Sequence, residues 1–181
     1  MKKYIALLRG VNVGGKNKIA MPDLKAAFEA TGFEDVLTYI NSGNVIFSAD
    51  GEETELAVRC EALIKSGFGF DISVALISAE ALANALGNSP SWWDNDSESK
   101  HNAIFVIPPA NPIEIAEQVG EIKSEYEKVF ICGRVIFWSA PIATFSKTRW
   151  SKVSSTSAYQ NITVRNANTV KKLAAMTKQP A

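Results

Sequence analysis

The residues whose types and spacing best suit chemistry lie in the loop that follows the first apolar segment of the chain. Residues 10–16, GVNVGGK, match the spacing G-x-x-x-x-G-K of loops that hold phosphate with backbone amides and a lysine. Two features break the match. Asn17 stands where such loops carry a magnesium-binding Ser or Thr, and the next helix is predicted to begin only near Pro22. Nucleotide hydrolysis at this loop is therefore not expected.

Two interpretations of this glycine-rich loop remain open. In the first, its backbone amides form a nest for an anion, with cationic side chains beside it. In the second, the glycines make a tight connection and the lysine side chains lie in solvent. The candidate ligand-binding residues under the first interpretation are Arg9, Asn12, Gly14, Gly15 and Lys16.

A second constellation lies in residues 145–157, FSKTRWSKVSSTS. Cations alternate there with hydroxyl residues and one large aromatic ring, which are groups that hold phosphates and stack on a base or sugar. A solvated surface loop has the same composition. We favour an ordered role for Arg149 and Trp150, because residues this large and amphipathic seldom lie idle in a loop. Lys152 joins them as a candidate.

Two further polar segments have both a binding and a structural interpretation. Arg165 and Asn166 precede the last predicted helix and would extend a basic site, but Asn166 is equally suited to cap that helix. Residues 41–44, NSGN, suit a tight hairpin turn, which explains their types sufficiently. Ser42 and Asn44 nevertheless remain candidates for contact with a ligand.

Other catalytic and metal-binding patterns are not evident. His101, the one histidine, has no evident Ser or Cys partner in the sequence, which argues against a hydrolytic triad. Cys60 and Cys132 are far apart and form no C-x-x-C pair. Cys60 falls on the apolar stripe of a predicted helix, so both cysteines are interpreted as reduced and structural. The sequence predicts no metal site and no cofactor.

The charge of the chain is balanced overall but unevenly distributed. Residues 1–22 and 128–181 contain five and nine basic residues and no acid, so the two ends sum to +14 and residues 23–127 to −14. Ends brought together by folding would form a basic face, whereas ends that are merely neighbours by chance would have no such function. No secretory signal or membrane span is evident, so the expected location is cytoplasmic.

Hydrophobic periodicity in the first half predicts the order β-α-β-β-α-β of a ferredoxin-like unit, followed by one more helix. The first strand is apolar on both faces and is expected to be buried on both sides. The predicted strands of this half are 4–9, 36–40, 45–47 and 72–77, and the predicted helices are 22–31, 52–65 and 79–86.

A polar connection, residues 89–100, is predicted to join this half to a second half that repeats the pattern in truncated or decorated form. Trp92 and Trp93 interrupt the connection and are expected to pack back onto the body of the protein. The fold class is therefore α+β, with two ferredoxin-like halves at 1–88 and 101–181. The predicted elements of the second half are strands 102–107, 129–131 and 134–138 and helices 113–122 and 169–176.

Four segments, LLRGVNVGG, MPDL, TYINSGNVIF and TVRNANTVKKL, resemble a bacterial family known as domain of unknown function, family 1697. The segments extend from the first predicted strand to the last predicted helix, so the resemblance covers nearly the whole chain. The resemblance implies no activity.

The first function hypothesis is a binding domain for an anionic ligand, either a phosphorylated small molecule or a nucleic acid. The alternatives are an enzyme with electrostatic catalysis at the glycine-rich loop, and a protein-interaction or self-association module. A monomer or weak homodimer without a membrane partner is expected.

Overall fold

The computed structural model describes residues 1–178, and these form two compact units. The first unit contains Met1–Leu82 and the described residues from Leu173 onward, and the second contains Ala83–Lys172. This division falls before the predicted connection at 89–100, whose last two residues, Ser99 and Lys100, already belong to a strand.

The first unit has the predicted β-α-β-β-α-β order with one more helix after it. Its sheet is antiparallel throughout, with strand order β2-β3-β1-β4. This is the ferredoxin-like arrangement, and it confirms the predicted fold class for this half. The elements are β1 (Lys2–Leu8), α1 (Met21–Ala30), β2 (Glu34–Tyr39), β3 (Asn44–Ala49), α2 (Glu53–Phe68) and β4 (Val74–Ser78). The next helix, α3 (Ala79–Gly87), begins in this unit and continues past Leu82 into the second.

The core of the first unit lies between one face of the sheet and its two crossover helices. Alternate residues of β1, Tyr4 and Leu8 among them, face this core because successive strand residues point to opposite sides. Helix α1 contributes Leu24 and Phe28 at helical spacing. The intervening strand residue Ile5 is also fully buried, so this strand is buried on both faces as its composition predicts.

The second unit repeats the strand order of the first. Its sheet has the order β6-β7-β5-β8 and is again antiparallel, but three short 3-10 helices replace the second crossover helix. This confirms the fold class of a decorated second half. The elements are β5 (Ser99–Val106), α4 (Pro112–Val119), β6 (Lys128–Cys132), β7 (Val135–Pro141), the 3-10 helices (Ile142–Lys147, Trp150–Ser155 and Ser157–Asn161) and β8 (Ile162–Asn166). The last helix, α5 (Ala167–Thr177), begins in this unit, and its residues from Leu173 onward belong to the first unit.

The core of the second unit gathers α4 and the 3-10 helices on one face of this sheet, around Ile136, Trp138 and Trp150. On the opposite face Trp93 meets Phe137 edge to face, with ring centroids 4.8 Å apart, and its indole nitrogen donates to the carbonyl oxygen of residue 102. The expectation that this tryptophan packs onto the body is thus confirmed. No helix within residues 1–178 is both long and apolar enough to cross a bilayer.

Candidate functional site

The glycine-rich loop of the first unit leaves β1 and forms a narrow hairpin before α1. Residues 13 and 16 pair as an isolated antiparallel bridge, and the amide of Asn12 donates to the carbonyl oxygen of Asn17 at 3.1 Å. The tight path depends on left-handed backbone, which glycine adopts without strain and asparagine tolerates. Positive φ angles occur at Gly10, Asn12, Gly14, Gly15 and Asn17.

The side chain of Asn12 holds this loop in place. Its Nδ2 donates to the carbonyl oxygens of Ile19 and Asn41, at 2.9 and 2.8 Å, and its Oδ1 accepts from the amide of Ile19 at 2.9 Å. Both hydrogens of the amide group are therefore used on backbone acceptors. The loop is tied both to its own end and to the turn between β2 and β3.

That turn, residues 41–44, packs against the end of β1. Asn44 is fully buried and its Nδ2 donates to Tyr39 O and Ser42 Oγ, both at 2.9 Å. The carbonyl oxygen of Gly43 accepts from the amide of Leu8 at 2.8 Å. These contacts give Ser42 and Asn44 a structural role in the turn, while the structure places both beside the glycine-rich loop.

Two lysines project from the loop into solvent. Lys16 and Lys18 are exposed, and among residues 1–178 neither side chain has an ion-pair partner. Arg9 is half-buried at the start of the loop, where its amide donates to the carbonyl oxygen of Ser73. Helix α1 begins at residue 21 and not directly at Lys16, so the phosphate-loop resemblance stays limited to the spacing.

The second predicted constellation does not form one surface. Trp150 is only 1% exposed and packs in the core of the second unit, so its ring is not presented to a ligand at the surface. Arg149 and Lys152 are exposed beside it, and the Arg149 Nε donates to the carbonyl oxygen of Glu121 at 3.4 Å. The large aromatic residue of this segment therefore anchors the 3-10 helices, which is why the segment is ordered.

Arg165 lies on the other face of the second sheet from these cations. Its neighbour in β8, Val164, packs on the core that contains Trp150, so Arg165 points away from that core. The guanidinium donates to Thr163 Oγ1 at 2.8 Å and to the carbonyl oxygen of residue 164 at 2.9 Å. Burial lowers its pKa to about 10. It remains charged at neutral pH but is separated from Arg149.

Asn166 serves as a helix cap. Its Oδ1 accepts from the amide of Thr169 at 2.8 Å, at the start of α5. The capping role, which is one of the two interpretations of Asn166, thus explains its contact. The helix begins at Ala167, two residues before the predicted start at 169.

Glu127 is a central residue that the sequence did not mark. The carboxylate is 3% exposed and accepts from the backbone amides of Lys123, Arg149 and Trp150, at 3.1, 2.7 and 3.2 Å, and from the indole of Trp138 at 3.2 Å. A buried charge is tolerated when several donors surround it. Nothing in the local pattern distinguishes Glu127 from the exposed acids before it.

His101, for which the sequence shows no evident serine partner, has one in the structure. The residue lies within β5 and its Nδ1 is 2.6 Å from Ser139 Oγ on β7, while its Nε2 is 3.0 Å from the carbonyl oxygen of Asp96. His101 and Ser139 are only 8% and 5% exposed. Their meeting depends on the β5–β7 register, which sequence spacing does not reveal. Among residues 1–178, no group of three or more His, Cys, Asp or Glu residues is arranged to hold a metal.

Fold and loop together define a two-unit α+β protein in which each unit has the ferredoxin-like strand order. The family model described as protein of unknown function (DUF1697) matches residues 1–137, and the chain belongs to this family. The chain is also similar to a solved structure, a conserved bacterial protein from Streptococcus pneumoniae. The two share 31% sequence identity and a TM-score of 0.88, over 98% of this chain and 99% of that one. None of the curated proteins compared with the chain matches it.

Proposed function

We propose that the first unit binds a phosphorylated small molecule at the glycine-rich loop, residues 9–18. The observation that carries this proposal is the combination of order and exposure in one short segment. Asn12 ties the loop to Ile19 and Asn41 through three hydrogen bonds, while Lys16 and Lys18 stay exposed. A loop backbone held in one conformation loses little entropy when a ligand binds, so its amides are preorganised and only the lysine side chains must become ordered.

The charge around the loop supports an anionic ligand. No acid occurs in residues 1–22, so the loop has no carboxylate of its own to neutralise its lysines. Glycines allow an anion to approach the backbone closely, where amide dipoles add to the attraction. The proposed contacts are from Arg9, Lys16 and Lys18 and from the backbone at Gly14 and Gly15.

A phosphorylated small molecule fits better than a nucleic-acid strand. Residues 9–18 and 41–44 contain no aromatic residue on which a base would stack. A strand also needs a longer row of cations than this loop offers. The free cysteines Cys60 and Cys132 accord with a reducing cytoplasm, where such ligands are abundant.

The test is thermal unfolding at low salt against a panel of sugar phosphates, nucleotides and short RNA and DNA strands. A ligand at 100 times its Kd adds about 2.7 kcal/mol to the free energy of unfolding. At roughly 2–4 °C per kcal/mol for a chain of this size, the Tm should rise by about 5–10 °C. The shift should diminish as salt screens the charges.

A pair of double variants assigns the site. Lys16→Ala with Lys18→Ala should remove the Tm shift, because both removed charges belong to the loop. Lys25→Ala with Lys65→Ala changes the net charge equally but removes lysines that pair with Glu29 and Asp71 elsewhere in the unit. Equal shifts in both double variants, or a flat panel for the wild type, would contradict the proposal.

A further inference from the structure

One row of side chains in the second sheet is not used by the proposed function. The register pairs His101 of β5 with Ser139 of β7, and Ser139 with Lys128 of β6. Residues directly opposite one another in antiparallel strands project from the same face. An imidazole, a hydroxyl and an ammonium group therefore follow one another across the sheet. We propose that Ser139 is the nucleophile of a site that hydrolyses small carboxylic esters, with His101 as its general base.

The hydrogen bonds of His101 determine which ring nitrogen receives the serine proton. The carbonyl oxygen of Asp96, 3.0 Å from Nε2, can only accept a hydrogen bond, so Nε2 carries the hydrogen of the neutral ring. Nδ1 then has the lone pair, and the Ser139 hydroxyl donates to it across 2.6 Å. A general base must lie within hydrogen-bond reach of the proton that it removes, and this pair satisfies that requirement.

Asp96 provides the third member of the array, with its Oδ2 3.6 Å from His101 Nε2. Desolvation raises the pKa of Asp96, but hydrogen bonds from the hydroxyl and amide of Ser99, the charge of His101 and the amide of Glu98 outweigh this effect and lower it. The carboxylate therefore remains negative at neutral pH and favours the imidazolium that forms when His101 takes a proton. Asp96 acts as a positioning residue.

A groove in the second unit borders Ser139, and we place the substrate there. Its volume is about 230 Å³, and Ser139 lines it together with the aromatic side chains Trp92 and Tyr126. The carboxylates that line this groove outnumber its lysine, Lys128, so an uncharged or cationic ester suits it better than an anion. The aromatic walls suit an apolar acyl or alcohol group.

The reaction is a two-step acyl transfer. Ser139 Oγ attacks the ester carbonyl carbon while its proton passes to His101 Nδ1, and the exposed ammonium of Lys128 stabilises the oxyanion. The C–O bond to the alcohol breaks, and the alcohol leaves with the proton from Nδ1. Water then attacks the acyl-serine, His101 takes a proton from this water, and Nδ1 returns it to Ser139 Oγ as the carboxylic acid departs.

The first experiment is covalent labelling of the wild-type protein with an alkyl fluorophosphonate, followed by intact-mass measurement and peptide mapping. The serine oxygen displaces fluoride from phosphorus, so an active serine gains one phosphonyl group. A single adduct on Ser139 is expected. This measurement needs no variant and therefore does not depend on how a substitution folds. Absence of an adduct from Ser139, or labelling confined to lysine or tyrosine, would overturn the proposal.

The second experiment compares variants in hydrolysis of p-nitrophenyl acetate and in the rate of labelling. Ser139→Ala and His101→Asn should each lower kcat/KM roughly 10³-fold or more, as removal of a nucleophile or its base does in triads. Ser154→Ala is the matched control, because this serine is exposed in the same unit but does not line the groove, and it should retain wild-type rates. Labelling that persists in His101→Asn at the wild-type rate would exclude the general base.

The role of Asp96 has its own readout. Asp96→Asn retains the backbone carbonyl that binds Nε2 but loses the negative charge, so kcat should fall roughly 10-fold or more while KM stays unchanged. A merely structural role would leave kcat at the wild-type value in the folded variant. The Ser139 site shares no residue with the glycine-rich loop. A negative result in labelling or hydrolysis therefore contradicts the Ser139 site alone, and a flat ligand panel contradicts the loop site alone.

Discussion

The two units have the same strand order but differ in which connection is elaborated. In the first unit, the connection after the first strand, residues 9–20, is a long ordered loop, and the second crossover is helix α2. In the second unit, the equivalent first connection shrinks to residues 107–111, and the second crossover becomes three 3-10 helices. Strand pairing thus sets the topology of both units, whereas the connections are where the two units diverge in chemistry.

The divergence extends to how each elaborated connection is fixed. The first unit uses a neutral amide, Asn12, which exchanges hydrogen bonds with the backbone of Ile19 in the connection that follows β1. The second uses a buried carboxylate, Glu127, which collects four donors. The connection of the first unit therefore stays on the surface and its lysines remain accessible. The connection of the second unit is bound by a buried carboxylate, and its largest residue, Trp150, packs in the core.

The largest expected effect tests whether Trp150 is a core residue. Trp150→Ala should lower the free energy of unfolding by roughly 3–5 kcal/mol, because it leaves a cavity beneath the 3-10 helices. Urea denaturation measures this loss. The control is Phe130→Ala, since Phe130 belongs to the same unit and is 42% exposed, and its loss should be about 1 kcal/mol. Similar small losses for both variants would contradict the burial of Trp150.

The hairpin turns of the two units offer a matched comparison. Gly43 and Gly133 both have positive φ, so alanine is strained by about 1 kcal/mol at either position. A Cβ on Gly43 would lie 2.8 Å from Leu8 Cβ and 3.3 Å from Val11 Cβ, whereas one on Gly133 meets nothing within 4 Å. Gly43→Ala should therefore lower the free energy of unfolding by roughly 2–4 kcal/mol, and Gly133→Ala should lower it by about 1 kcal/mol. Equal losses of unfolding free energy in the two variants, measured by urea denaturation, would show that the turn at Gly43 is not packed against Leu8 and Val11.

Glu127→Gln tests the buried carboxylate with almost no change of volume. It replaces an acceptor that serves four donors by a group that also donates, and should lower the free energy of unfolding by roughly 2–3 kcal/mol. Glu125→Gln removes an exposed carboxylate from the same segment and should change stability by less than about 0.5 kcal/mol. A small loss in Glu127→Gln, measured by urea titration, would mean that the four contacts add little.

The smallest effect concerns the cysteines, one in each unit. Burial raises the pKa of the Cys60 thiol to about 12, whereas Cys132 is half-buried. A disulfide reagent at pH 8 should therefore modify Cys132 rapidly and Cys60 only at the rate of unfolding, and Cys132→Ser should abolish the fast phase.

The unfolded chain releases the Cys60 proton at lower pH than the folded one. The stabilising contribution of the protonated thiol is thus complete below about pH 8 and declines as pH rises from there towards 12.

Much of the first unit follows from local sequence. The stripe Leu56, Cys60, Leu63 predicts α2 because its spacing matches the helical period, and the glycine and asparagine turn predicts the hairpin between β2 and β3. The candidate loop was found for the same reason, since its glycines and lysines are consecutive in the chain.

The second unit was harder to predict because its key contacts join distant residues. Strand β8 alternates polar and apolar residues only briefly and follows a segment rich in Ser and Thr, so the sequence pattern does not predict it. The contact between His101 and Ser139 depends on a register between two strands, and the partners of Glu127 come from three separate segments. None of these relations leaves a periodic signal.

The replacement of a crossover helix by 3-10 helices has a consequence for the order of folding. Because α2 has 16 residues and gains successive local hydrogen bonds, we expect it to begin to form while the chain collapses. The segment from Ile142 to Asn161 has only short local turns, so we expect it to become ordered only after Glu127 and the sheet residues Ile136 and Trp138 are in place to receive it. In pulsed hydrogen exchange during refolding, we expect the amides of α2 to become protected early and the amides of Arg149 and Trp150 to be among the last.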